Sequence, residues 1–549
     1  MQRLLTQLAK LVDAKVACVV VGGLALYAVA KKAAAKRQRW PVKALQGLRT
    51  PVTDEERLRI VIIGGGIGGT FAAMWLREMF GDRVDLVIIQ SGLIGGRCKW
   101  IEMVERDKPA RRYECGASII SELNEYVLDA MKVFNLEKKE STFVPLAIWD
   151  GSKVLFREAF LKSPTASALL SAFRVLQRYG LRSLRRLKRM LMSDPGLPDF
   201  QQLYRHLQDG AAFRTPKELL VALTRGGGTG CVELTQESSQ SFFSKMDISR
   251  AITDELVQGG MRSNYGGQTL QQLHALVGLI SVAGGIASSC FRIKGGNVQL
   301  MERALEAAKA RVICGTARVV RPAAGPTSAH SYEVLYDSAE REYMIGNAPP
   351  GPSKGTTQLQ ADVVVLAHHL ATGSVKVEGV EAELKPGSLR RCCTHFLQGS
   401  LKAEAFGLPA GEPAPLEVLT VGDGAPFYSI GVQAPIDASK KEAAKLISDL
   451  REGGVGTFKV FAPQELSVDE LSKYFTVVPG SLQVVDWYAY PAYHAPEEFM
   501  PFVLAKGLIY LNAVETIGSA MEMSAIAARN AVNLVREWYP SGCRPRAKP

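Results

Sequence analysis

Gly64-x-Gly66-x-x-Gly69 is the first arrangement in this 549-residue chain whose spacing could do chemistry. In such a triplet the first glycine permits a tight turn. The second lets the backbone approach a pyrophosphate, and the third lets a helix pack closely on a strand. A helix opening there turns unpaired N–H groups and a positive dipole end toward phosphate. Gln90 stands where a dinucleotide fold usually has an acid, and its uncharged amide can still bond ribose hydroxyls. Gly95-Gly96-Arg97 follows; the glycine pair allows a tight backbone path and Arg97 can reach a pyrophosphate.

These residues need particular elements around them. The apolar run LRIVII, ending at Ile63, reads as a strand, Thr70 to Phe80 as a helix, and Val84–Ile89 as a second strand. That is the strand, glycine turn, helix, strand order of a dinucleotide-binding unit. Gly-Gly-Arg just after the second strand is a signature of FAD enzymes of the amine-oxidase type and separates FAD from a simple nicotinamide site. Further on, Glu122–Phe134 reads as a helix and Ala147–Arg157 as a hairpin around Asp150-Gly151. Thr165 to about Gly260 reads as mostly helical, Asp362–Ala367 as a buried parallel strand, and Ser519 to Trp538 as a last helix.

Composition is that of a globular protein, 47% hydrophobic and 22% charged. The formal charge of +12 is local: the first 49 residues hold ten Lys/Arg and one Asp and so supply +9 of it. Arg174 to Arg189 holds seven more basic residues and no acid. A nucleic-acid binder would carry its basic surface on the fold, so no nucleic-acid partner is expected. Two basic segments suit a membrane surface instead. Phe173–Leu191 carries apolar residues at 173, 176, 184, 187 and 191, the spacing of one amphipathic helix. The nine cysteines show neither CxxC nor zinc spacing, so no metal is expected.

Residues 1–49 read as a leader. Val16–Ala30 is apolar and is stopped by Lys31-Lys32. It suits a secretory signal peptide, a short membrane anchor or a buried leader helix. The first two put the protein on or inside an endomembrane compartment.

Nine blocks resemble one family, prenylcysteine oxidase, also called prenylcysteine lyase. They are IVIIGGGIGGTFAAMWLREMFG, IGGRCKW, YECGASIISELN, QRYGLRSLRRLKRM, SNYGG, LHALVGLISVAGG, IKGGNVQL, WYAYPAYHAPE and LIYLNAVETIGSAMEMSAIAARNA. The resemblance spans about residues 57–540. It implies an α/β fold: a Rossmann-type FAD-binding domain of amine-oxidase-like topology with an inserted α+β substrate domain. The FAD-binding domain would take 57–160, 291–390 and 506–540. A mainly helical, membrane-facing part would take 161–290, and a mixed substrate part 391–505.

It also implies non-covalent FAD, with Gly64, Gly65, Gly66, Ile67, Gly68 and Gly69 on the pyrophosphate and Gln90 on the adenosine ribose. Gly95, Gly96 and Arg97 would meet phosphates and ribityl chain. Gly116, Ala117, Ser118 and Ile119 would line the flavin ring, Val312 would meet adenine, and Ala520 and Met521 the pyrimidine edge. The implied reaction is oxidation of farnesyl- or geranylgeranylcysteine by O2 to cysteine, a prenyl aldehyde and hydrogen peroxide, in the breakdown of prenylated proteins. Lysosome or vacuole is the implied setting. The chain departs from the family at Cys115, at Ala117, where a second glycine is usual, and at Ala492, where histidine is common.

Such chemistry asks little of protein acids and bases, because the flavin takes the hydride. No catalytic residue is therefore required beyond the flavin. His494, in an aromatic stretch with Trp487, Tyr490 and Tyr493, is a weak candidate, while His274, His368 and His369 read as core or surface histidines. Glu522 reads as an acid favoured by a helix dipole. The amino-acid end of the substrate is expected near solvent and the prenyl chain against apolar walls. The competing readings are a flavin oxidase or desaturase on another apolar amine or polyene, and a non-catalytic flavin-binding membrane protein.

Overall fold

The computed structural model describes residues 40–41, 53–104, 109–139, 144–324, 331–339, 353–381, 383–409 and 411–544. The chain divides into two units, Met1–Pro41 and Val42–Pro549, and all the secondary structure described lies in the second. The apolar run of the leader lies outside the described residues. Among those residues no helix is long and apolar enough to cross a membrane.

Leu58–Ile63 is apolar throughout its second half, and such a strand needs cover on both faces. It runs parallel to Val84–Gln90 on one flank and to Val363–Leu366 on the other. Arg311–Pro322 extends the sheet beyond Val84–Gln90, and Leu508–Tyr510 extends it beyond Val363–Leu366, both in parallel. The chain leaves the central strand toward one side and returns on the other. The carboxyl ends of Leu58–Ile63 and Val363–Leu366 therefore frame a crevice, the usual ligand position in an open parallel sheet. The helix Ile67–Phe80 packs against Gln299–Ala308 and the final helix Met521–Trp538. A Cβ at Gly69 would run into the Gly64 carbonyl, so glycine there sets how closely helix meets strand. This is the expected Rossmann-type arrangement.

A second sheet runs in the order Phe475–Val477, Leu389–Leu401, Gly456–Ala462, Ser429–Gln433, Glu417–Thr420, Leu146–Trp149, Val154–Arg157, with Gln483–Pro491 also paired to Leu389–Leu401. One face buries Val418, Ile430, Val432, Phe458 and Val460 with the aromatic rings of Trp149, Phe406 and Phe427. The opposite face turns toward the first sheet's crevice. The hairpin at Asp150-Gly151 forms as read, but its strands join this second sheet, not the FAD-binding sheet of the 57–160 segment. Pairing of Leu146–Trp149 with Glu417–Thr420 decides that, and the partner strand lies far along the chain.

The segment after residue 160 is helical, with starts that local chemistry explains. Ser163, Asp199, Thr215 and Ser238 each accept a backbone N–H from the first turn that follows, and proline opens two of these helices. The basic stretch is not one helix. Pro164–Tyr179 ends and Leu181–Ser193 begins at Gly180, whose φ of 75° lies in the left-handed region. The apolar spacing crosses this break because both helices bury a stripe, with Tyr179 on one and Leu187 and Met190 on the other. Arg178 pairs with Glu255, Arg182 with Asp247 and Arg186 with Asp194.

Candidate active site

Two glycine loops meet at the crevice. The Gly64 N–H donates to the Ile89 carbonyl at 2.9 Å, and Gly95 N–H to the Gly65 carbonyl at 2.9 Å. Gly64 has φ 115° and Gly96 φ 58°, positions that a side chain would strain. A Cβ on Gly66 would meet only the Gly96 Cα, at 3.8 Å. The groove between the loops thus exists because neither carries a side chain. The Gln90 Oε1 accepts the Gly65 N–H at 2.6 Å while its Nε2 donates to the Leu93 carbonyl at 2.9 Å. Gln90 therefore ties the first loop to the second and also borders the groove.

The groove continues into one cavity of about 510 Å³ lined from both sheets. Gly64, Gly65, Gly66, Ile67, Gly68, Gln90, Gly95, Gly96 and Arg97 form one end. Gly116, Ala117, Ala520 and Met521 lie along it, and Phe461, Leu389, Cys392, Trp487 and Tyr490 wall the side toward the second sheet. Two helices open onto it with no side-chain cap, Ile67–Phe80 after Gly66 and Met521–Trp538 after Ala520. Their first N–H groups are thus available to a ligand.

Arg97 is fixed by partners far along the chain. Its Nη1 donates to the Ala489 carbonyl at 2.9 Å, Glu515 Oε2 at 3.0 Å and Ser519 Oγ at 3.1 Å, and its Nη2 donates to Glu515 Oε1. Asn512 Nδ2 donates to the same carboxylate at 2.7 Å. A Cβ on Gly116 would strike the Arg97 carbonyl and the Trp487 ring, so the chain passes at its closest there.

Other residues expected at the site fall elsewhere. Gly69 serves helix packing. Ser118 and Ile119 are outside the lining, and Ile119 is 58% exposed. Val312 pairs with Ile88 inside the sheet, and the same strand reaches the cavity later, at Gly315, Thr316 and Ala317. His494 points outward, its Nδ1 3.1 Å from the Glu497 carboxylate. His274 is buried; its Nδ1 accepts the Val277 N–H and its Nε2 faces the Thr516 carbonyl at 2.9 Å, while burial pushes its pKa down to about 4. It is a neutral strut under the loop that carries Glu515. Glu522 opens the final helix, yet its buried carboxylate accepts N–H bonds from Tyr126 and Val127 and the Tyr204 hydroxyl. Burial raises its pKa to about 7.

Sequence reasoning took His368 for a core or surface histidine and passed over Glu515, Cys392 and Phe461 as site residues. Ser263 and Gly266 sit in the SNYGG block without having been singled out. His368 follows a parallel strand at its carboxyl end, the position that could have flagged it.

A flavin dinucleotide fits what is present. Among the described residues the Asn512 Oδ1 is buried at the cavity without a hydrogen-bond partner, and the buried His368 ring, which lines the same cavity, has the Ile63 backbone as its polar neighbour. Buried polar atoms of this kind need partners. The side-chain-free groove and two uncapped helix ends supply the anion contacts, and the aromatic wall suits a flat ring. The family model for prenylcysteine lyase matches residues 163–543.

The chain belongs to the prenylcysteine lyase family. Its similarity to curated relatives runs nearly end to end. Prenylcysteine oxidase 1-like of Mus musculus is 27% identical, over 88% of this chain and 91% of its own length. Prenylcysteine oxidase 1 of Homo sapiens is 28% identical, over 87% and 88%. Among solved structures, a redesigned putrescine oxidase aligns with a TM-score of 0.50 at 12% identity, over 87% of this chain and 99% of its own. Cyclohexylamine oxidase from Brevibacterium oxydans gives 0.50 at 14%, over 88% and 99%. The prenylcysteine lyase chain thus has the amine-oxidase fold that the Gly-Gly-Arg signature implied.

Proposed function

We propose that this chain is an FAD-dependent oxidase that cleaves the thioether of farnesyl- or geranylgeranylcysteine with O2. The observation that carries the reading is a family-typed chain whose side-chain-free dinucleotide groove opens directly into an aromatic and apolar wall. FAD, when bound, supplies a two-electron acceptor for the carbon–hydrogen bond beside sulfur and passes the electrons to O2. Water adds to the oxidised carbon, the carbon–sulfur bond breaks, and cysteine, the prenyl aldehyde and hydrogen peroxide leave.

The protein's part is binding and orientation. The glycine loops would hold the pyrophosphate. Arg97, held by Glu515, would meet the phosphates and ribityl chain, and the N–H groups at Met521 would hold the polar edge of the ring and favour negative charge there. Phe461, Leu389, Trp487 and Tyr490 exclude water and pack on the prenyl chain, with about 0.8 kcal/mol available per buried CH₂. Nothing in this chemistry calls for His494.

The site also sits in a chain with membrane-facing features. Leu169, Phe173, Leu181 and Met192 are exposed on the helix pair around Gly180. Arg185, Lys188 and Arg189 lie among them on Leu181–Ser193. With the basic leader, they support attachment to an anionic endomembrane, from which a greasy substrate would enter. A lysosomal or vacuolar setting agrees with this reading.

The test is anaerobic titration of the purified protein with farnesylcysteine while the flavin band at about 450 nm is followed. Bleaching, and peroxide on admitting O2, is the expected result. Faster reduction by simple amines than by any prenyl thioether would replace this reading with an amine oxidase.

A further inference from the structure

Alternate residues of a strand share a face. Gly456–Ala462 sends Phe458 and Val460 into the core of the second sheet, so Thr457, Lys459 and Phe461 turn toward the cavity. Phe461 lines it. Lys459 lies deeper on the same face, with its Nζ 5.0 Å from the Phe461 ring centroid and 3.2 Å from the Glu114 carbonyl. On Glu417–Thr420, Val418 goes to the core, which puts Glu417 on this inner face too.

Register places these two charges in one row. Glu417 is paired with Gly431, and Gly431 with Lys459. The two side chains therefore stand two strand spacings apart, roughly 9.5 Å, with only a glycine between them. A Cβ at Gly431 would meet only the Gln433 amide nitrogen, at 3.5 Å, so the space above it is open. Arg292 faces this slot from Cys290–Ile293, where its neighbours Phe291 and Ile293 are buried. Its charge is felt by both Glu417 and Lys459.

The cluster has unmet demands. Among the described residues neither the Arg292 guanidinium nor the Glu417 carboxylate makes a side-chain hydrogen bond or ion pair, although Arg292 interacts electrostatically with Glu114 first and then with Glu417. Both are enclosed by protein and both keep some accessible surface. Burial accordingly pushes the Glu417 pKa up, and that of Lys459 down to about 8. Opposite charges held apart in the interior are costly unless something bridges them. An α-amino acid zwitterion carries both complements on one carbon and no net charge. Two residues that line the cavity adjoin the slot: the Phe461 ring lies beside the Lys459 Nζ, and Cys392 feels the Lys459 charge.

We infer that Arg292, Lys459 and Glu417, around the gap left by Gly431, form a subsite for the free amino-acid end of the substrate. Arg292 and Lys459 receive the α-carboxylate and Glu417 the α-ammonium. The inference rests on the proposed cysteine-thioether substrate and deepens it: the amino-acid end is buried rather than left near solvent, and substrates blocked at either charge are refused.

The experiment measures binding separately from turnover, on the full-length FAD-loaded protein. The probe is S-dodecyl-L-cysteine, whose saturated chain lacks the allylic carbon, followed by the perturbation of the flavin spectrum. Its comparators are S-dodecylcysteamine, without carboxylate, and 3-(dodecylthio)propanoate, without ammonium. The cysteine compound is expected to bind at least about tenfold more tightly than either, the equivalent of one hydrogen-bonded charge contact. Arg292→Met should erase its advantage over the cysteamine, and Glu417→Gln its advantage over the propanoate. Arg292→Lys should restore part of the first. Gly431→Val should weaken the cysteine compound most while leaving both charges in place, and FAD content should stay at the wild-type level in all four. Equal binding of the three probes, or equal loss of all three in each variant, overturns the inference. Selective binding of the cysteine probe by a protein that farnesylcysteine does not reduce would leave the subsite standing and remove the oxidase reading.

Discussion

Arg97 and Glu515, 418 residues apart in sequence, form an ion pair at the junction of the two glycine loops, the final helix and the second sheet. Glu515 is 1% exposed, and Arg97 borders the cavity. The pair ties the loop after the second strand to the segment just before the C-terminal helix. With the Arg97 bonds to Ser519 and Ala489, it ties together the structures that border the cavity.

Removing the acid strands a guanidinium that is partly enclosed. Glu515→Ala is expected to cost on the order of 2 kcal/mol, below the range for a fully buried pair because Arg97 keeps some solvent. FAD should also be retained poorly. Thermal unfolding with and without added FAD checks this, since a purely structural loss would appear in both scans while a cofactor defect widens the gap between them.

Gly66→Val separates fold from cofactor. The backbone at Gly66, with φ −80° and ψ −174°, is open to any residue, and a Cβ there touches little protein. The variant should therefore fold and be colourless, because its side chain occupies the groove where a pyrophosphate would lie. A yellow Gly66→Val protein with normal FAD content would show that the groove is not the dinucleotide site.

Glu522 gives stability a pH dependence. Burial lifts its folded pKa to about 7 from an ordinary value of 4.5, so the folded state holds the proton more tightly than the unfolded chain. The contribution is full below about pH 4.5 and is lost as pH rises toward 7, at about 1.4 kcal/mol per unit of pKa difference. Glu497, raised to about 7 by burial against its pairing with His494, acts in the same direction. Melting temperature should fall between pH of about 5 and 8, and Glu522→Gln should flatten that slope. An unchanged slope in the variant would assign the dependence to other groups.

Chain length reads out the apolar wall. Replacing farnesyl by geranyl removes one five-carbon unit, and at about 0.8 kcal/mol per buried carbon the loss is roughly two to three orders of magnitude in affinity. The ratio of the two dissociation constants from flavin titration measures it. A ratio near one would mean that the distal chain lies in solvent.

The proposed membrane contact would divide between two segments, the leader and the helix pair around Gly180. A chain starting at Thr50 should lose most membrane association. What remains should weaken with salt and with Arg185→Glu, Lys188→Glu and Arg189→Glu together, because exposed charge contacts are screened. Vesicle sedimentation at two ionic strengths distinguishes the contributions. Binding that survives both changes would put the contact elsewhere.

Residue type and spacing settle what is local. Within about thirty residues, Gly64 to Gly96 carry their own instructions, because a turn, a helix start and the absence of side chains follow from residue type and spacing. The helix starts at Ser163, Asp199, Thr215 and Ser238 are legible for the same reason, since a cap reaches only into the next turn. Whatever depends on distant partners came from the packed fold. Periodicity ran through Gly180, where the backbone turns left-handed and splits the basic helix in two. The Asp150-Gly151 hairpin was visible, but its sheet was not, because Glu417–Thr420 supplies the edge it joins. Glu515 and Arg97 were separate residues until the fold placed them together. Gly431 was one glycine among 51 until strand register set it between Glu417 and Lys459. Register and long-range pairing arise from packing the two sheets around a common cavity, and no stretch of chain holds that information alone.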